Sequence, residues 1–175
     1  MFGQDWKQAG AVLVVVGGLI GIPPVLAAIV PLRETAVAVD AEVELTAPGE
    51  KPDTVEFSGV SGWERSPTGD AATAVLASPR GSRLVATVVD GVTDFRDAAQ
   101  WQLKVLRVQG FDAVFDGGEV HNSNGFGGLT CRRPTEPGVC AIVGKDNLAV
   151  TLVLGGDDPR LSELQPILDS LQVTS

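Results

Sequence analysis

Residues 72–110 read ATAVLASPRGSRLVATVVDGVTDFRDAAQWQLKVLRVQG, and the fold class follows from them. Segments 72–78 and 83–90 are apolar at nearly every position, which predicts two strands with both faces covered. Pro79-Arg80-Gly81-Ser82 supplies the turn between them. The period then changes. Thr93 or Asp94 caps a predicted helix that runs to Val108, and Gly110 stands just past its end. Phe95, Ala98, Ala99, Trp101, Leu103, Val105, Leu106 and Val108 cover more than half of its circumference. Arg96, Asp97, Gln100, Lys104 and Arg107 share the remaining arc of about 100°. So wide an apolar face predicts a helix lying deep against a sheet, with Gln102 at the rim or donating to an edge carbonyl.

Outward from this block, strands dominate. Segments 54–58 and 62–66 precede it; 112–115, 119–122, 128–132, 139–143 and 148–154 follow it. Asp116-Gly117-Gly118 reads as a tight hairpin turn, Gly144-Lys145-Asp146-Asn147 as another, and residues 122–128 as a flexible loop. Asp158-Pro159 signals a last helix with a seam of Leu161, Leu164, Leu168 and Leu171. Pro166 is expected to shorten it to a start near Gln165. Strands and helices do not alternate, so the expectation is α+β, a mostly antiparallel sheet covered by helices.

The amino-terminal part has a different character. Residues 9–32, AGAVLVVVGGLIGIPPVLAAIVPL, contain no charge and are long enough to span a hydrocarbon core as one helix. The expected organisation is a short cytoplasmic segment over 1–8, a transmembrane anchor over 9–32, an acidic linker over 33–53 and an extracytoplasmic domain over 54–175. The apolar run is longer than a secretory signal, although Ala36-Val37-Ala38 is an acceptable cleavage site. Lys7 and Arg33 leave orientation balanced, and the paired cysteines favour a cytoplasmic amino terminus. Gly17 and Gly21 make a small-xxx-small face for contact with another helix. Net charge is −9, with seven acids and one base between Glu34 and Glu56. With no basic stripe, nucleic acid is excluded as a partner. The expected surroundings are a bacterial plasma membrane, its lipid and a membrane protein complex. Arginine outnumbers lysine nine to four, a bias associated with high-GC bacteria.

Gly62-Trp63-Glu64, the amphipathic helix after two strands, the antiparallel run and the ending Ile167-Leu168-Asp169-Ser170-Leu171 resemble the PsbP-like fold. That α/β/α sandwich occurs in photosystem accessory proteins and in secreted actinobacterial proteins of the LpqN type. The resemblance spans about residues 54–172. It implies a binding or assembly role and transfers no catalytic residue.

Cys131 and Cys140 flank a Pro/Gly turn between two predicted strands, which brings them within bridging reach. Their spacing is not the C-x-x-C of a redox pair, and they supply too few ligands for zinc. His121 is the single histidine. It shares a strand face with Glu119, and Asp112 or Asp116 is expected opposite, so a small hydrolase is one reading and a solvated hairpin edge another. No metal or cofactor is expected, and no nucleophile elbow or phosphate loop is present. Arg132 and Arg133, on the tip of a stapled hairpin, are candidate partner contacts, as is Trp101. The composite expectation is a non-enzymatic, single-pass accessory subunit of a respiratory or secretion complex. A ligand- or lipid-binding module is the alternative.

Overall fold

The computed structural model describes residues 35–49 and 52–174. In chain order the elements are β1 (Thr35–Ala36), β2 (Val43–Thr46), β3 (Thr54–Phe57), β4 (Glu64–Ser66), β5 (Thr73–Ala77) and β6 (Arg83–Val89). Next come α1 (Phe95–Val108), β7 (Val114–His121), β8 (Gly127–Arg132), β9 (Val139–Lys145), β10 (Leu148–Gly155), α2 (Leu161–Ser170) and β11 (Gln172–Thr174). Eight strands form one sheet in the order β1-β4-β5-β6-β10-β9-β8-β7, and three form a second, β11-β3-β2. The pairings are antiparallel. The α+β expectation is met. The anchor expected over 9–32, with Gly17 and Gly21, lies outside the described residues. Among the described residues no helix is long and apolar enough to cross a membrane.

The most apolar strand takes the middle of the large sheet. β10 is buried from Leu148 to Leu154 because both of its faces meet a core. Leu148, Val150, Leu152 and Leu154 point one way, with Ala141 and Val143 of β9, onto β2, β3 and α2. Val153, with Cys140 and Ile142 of β9 and Cys131 of β8, points the other way onto Ala99 and Leu106 of α1. The period-2 alternation of a strand distributes apolar residues to two separate cores.

α1 is built as its sequence predicts. The Asp94 carboxylate accepts the Asp97 N–H at 2.9 Å. At the other end the Phe111 N–H donates to Leu106 O and the Gly110 N–H to Arg107 O, a Schellman closure with Gly110 at φ +87°.

Four expectations need correction. The segment expected as a linker contributes β1 and β2, and Val43, Leu45 and Ala47 are fully buried. The apolar alternation Val43-x-Leu45 finds its partner in β3, Val43 facing Phe57 and Leu45 facing Val55. Asp116-Gly117-Gly118 is not a hairpin turn. Both of its flanks pair with β8, Phe115 opposite Cys131 and Glu119 opposite Leu129, so the three residues form a bulge inside β7. Residues 122–126 are not a loose loop either. The Asn122 side chain donates to Leu168 O and Leu171 O, and Asn124 to Leu171 O, satisfying carbonyls left open at the end of α2. Finally, α2 starts at Leu161 and runs through Pro166. Burial of Leu164, Ile167 and Leu168 outweighs the lost backbone bond, and the proline ring sits against Gly59, where a Cβ would stand 2.8 Å from it. β11, unforeseen in the sequence, pairs with β3.

Candidate functional site

The residues singled out in the sequence fall in three places. Cys131 and Cys140 face each other across β8 and β9 at disulfide distance, with Cα atoms 4.8 Å apart. Both are buried under α1. The hairpin tip beyond them holds Arg132 and Arg133, which behave differently. The Arg133 guanidinium lies 5.2 Å from the Phe111 ring centroid and pairs with Glu136. Its side chain is thereby folded back onto the end of α1, which leaves Arg132 as the exposed cation of the pair.

His121 lines a shallow trough of about 490 Å³ with Glu119, Phe95, Lys145 and Asp146. The trough floor is a glycine row, Gly127 opposite His121 and Gly144 opposite Gly127. A Cβ on Gly127 would stand 2.6 Å from His121 Nδ1, and one on Gly144 would stand 2.4 Å from Phe95 Cδ2. The two rings therefore already lie on the two glycines, covering backbone that would otherwise be bare. The acids expected opposite His121 are engaged elsewhere. Asp112 pairs with Arg107 at 2.8 Å, while Asp116 accepts from the Thr130 hydroxyl and the Gly118 N–H. Burial raises the Asp116 pKa, but those hydrogen bonds and the charge of Arg132 together hold it below the usual carboxylate range. Among the described residues no group of three His, Cys, Asp or Glu side chains could hold a metal ion.

Trp101 marks the third place. α1 buries Phe95, Ala99, Gln102, Leu103 and Leu106 against the sheet to differing degrees. Trp101 is 58% exposed and Val108 89% exposed, with Val105 between them half-buried. These three recur at helical spacing on a stripe about 130° around from the buried one. One apolar arc thus divides into an inner face and an outer face, and the deep burial expected for the whole arc does not occur. Gln102, expected at the rim or donating to an edge carbonyl, is only 6% exposed. Trp101 and Lys104 separate two depressions. One of about 770 Å³ runs between α1 and the end of β6, and a smaller one of about 340 Å³ is lined by Val105 and Val108. Val105 and Val108 as outer-face residues were missed in the sequence. The signal was present: an arc wider than one sheet contact can cover.

Comparison with protein-family models finds no match, and neither curated proteins nor solved structures give one.

Proposed function

We propose that this chain is a non-enzymatic, single-pass membrane protein whose extracytoplasmic domain is an accessory or assembly subunit of a membrane complex, docking through the outer face of α1. The observation that carries the reading is the outer stripe of α1, with Trp101 and Val108 exposed and Val105 half-buried between them, on a helix whose other apolar face is already buried. Large apolar side chains grouped in this way mark contact surfaces more often than single exposed ones do. The apolar run over 9–32 supports a tether, and the buried cysteine pair supports an oxidising compartment. The resemblance to the PsbP-like fold, carried by the residues quoted in the sequence, supports the same class of role.

The test is a photoreactive amino acid placed at position 101 of the full chain in its native membrane, with Asp157 as control position. A single adduct from position 101 that is absent from position 157 supports docking. No position-specific adduct overturns it. Replacing Gly17 and Gly21 by Ile tests the tether contact separately, since continued co-purification of the complex sinks that part.

A ligand-binding module is the second reading, favoured by the 770 Å³ groove beside Trp101. Native mass spectrometry of the detergent-released chain would reveal a bound small molecule.

A further inference from the structure

We propose that Asn124 is a site of self-modification, where the chain converts asparagine to aspartate and isoaspartate through a succinimide, and that the carboxyl end of α2 gates the reaction. The chain has three asparagines, Asn122, Asn124 and Asn147, and Asn124 alone precedes a glycine. The chemistry needs the backbone nitrogen of the next residue to reach the side-chain carbonyl carbon. Gly125 has no Cβ to obstruct that approach, and it is exposed. Gly125 N attacks Asn124 Cγ and a new C–N bond closes the five-membered imide. The Cγ–Nδ2 bond breaks, and the amide group leaves as ammonia with the Gly125 amide proton. Water then opens the ring. Hydrolysis at the new Cγ–N bond gives aspartate. Hydrolysis at the original peptide bond gives isoaspartate, with one extra methylene in the main chain.

The fold opposes the first step. Asn124 is half-buried, and its own groups are held on both sides. Its backbone N–H donates to Asn122 Oδ1 at 3.0 Å, and its Nδ2 donates to Leu171 O at 3.0 Å. The Gly125 N–H faces Asn122 O at 3.4 Å. The attacking nitrogen is thus turned toward a backbone carbonyl, while the departing amide is tied to the end of α2. Reaction requires the turn to part from α2, which is a local opening and not global unfolding. The product then opposes reclosure. Leu171 O accepts from Asn122 Nδ2 at 2.8 Å as well as from Asn124, so it loses one of two donors when Asn124 becomes an acid. A carboxylate offers no donor in its place and sets a negative charge against that carbonyl. Leu171 leads directly into β11, so conversion at position 124 loosens the tie between this turn and the last strand.

The experiment incubates the full chain in mild detergent at mildly alkaline pH, once folded and once in guanidinium. Peptide mapping by mass spectrometry follows each asparagine, with isoaspartate scored separately. In guanidinium, Asn124 should convert ahead of Asn122 and Asn147. In the folded chain its conversion should be slower by about tenfold or more, because only the opened turn reacts. Asn122→Ala removes the acceptor for the Asn124 N–H and a second donor to α2, and should bring the folded rate toward the denatured one. Should that variant fail to fold, the comparison of folded and denatured wild-type chain decides alone. Asn124→Asp fixes the product, and it should speed hydrogen exchange of the β11 amides about fivefold. Slow conversion of Asn124 in guanidinium, no faster than that of Asn122 or Asn147, overturns the site. Equal rates in folded and denatured chain overturn the gate, and unchanged exchange in Asn124→Asp overturns the loosening of β11.

Discussion

Reduction of the Cys131–Cys140 pair gives the most quantitative check on the fold. The cysteines stand at a sequence separation of 9 and sit at directly paired positions of β8 and β9. Closing so short a loop in the unfolded chain lowers its entropy by an amount worth about 2.7 kcal/mol at 25 °C. The sulfurs stay buried under α1 after reduction, so the packing of Ala99 and Leu106 changes little and the entropic part dominates. For a domain of this size, unfolding entropy converts 2.7 kcal/mol into a drop in melting temperature of about 9 °C. The assay is thermal unfolding of the full chain in detergent, followed by near-ultraviolet circular dichroism. One sample is refolded oxidised and one in reductant, with thiols titrated in the denatured state to verify each. Melting temperatures within about 2 °C of each other would refute the reasoning. They would mean that the hairpin Arg132–Val139 is already closed in the unfolded chain, or that the two cysteines are not bonded.

The two faces of α1 should separate by mutation. Leu106→Ala, which empties a site under the helix, should cost about 3 kcal/mol in urea unfolding. Val108→Ala, on the outer face, should change stability by less than about 0.5 kcal/mol. Comparable losses at both positions would contradict the inner and outer assignment. The acid limb of stability should depend on Asp116. Its folded pKa lies below the unfolded value, so its contribution is present above the usual carboxylate range and is lost as pH falls through the folded pKa. Asp116→Asn should flatten stability against pH in that acid window and leave its slope near neutrality alone. An unchanged acid limb would show that the bulge hydrogen bonds from Thr130 and Gly118 are not formed in solution.

Much of this architecture was legible in the sequence, and the residues explain which parts were not. The residue pattern alone marked α1, because its caps and its spacing are local: Asp94 and Gly110 lie within one turn of the helix they end. It also marked β5, β6, β9 and β10 as strands, although full burial on both faces is found in β9 and β10 while β5 and β6 are fully buried on alternate residues only. The cysteine pair followed from the short turn between β8 and β9.

The remaining features depend on partners distant in the chain and emerge only when those partners meet. A strand of four residues has no stability alone, and Val43 and Leu45 become core only once β3 lies beside them. Asp116-Gly117-Gly118 has turn composition, yet β8 holds both flanks in one ladder, and the same residues become a bulge. Pro166 breaks a helix in isolation, but α2 buries its leucines against β2, β3 and the large sheet, and that burial exceeds the local cost. The exposure of Trp101 is the case closest to function. Periodicity marks it as apolar and helical, while the width of the sheet surface under α1 decides which apolar residues are covered and leaves this one at the surface.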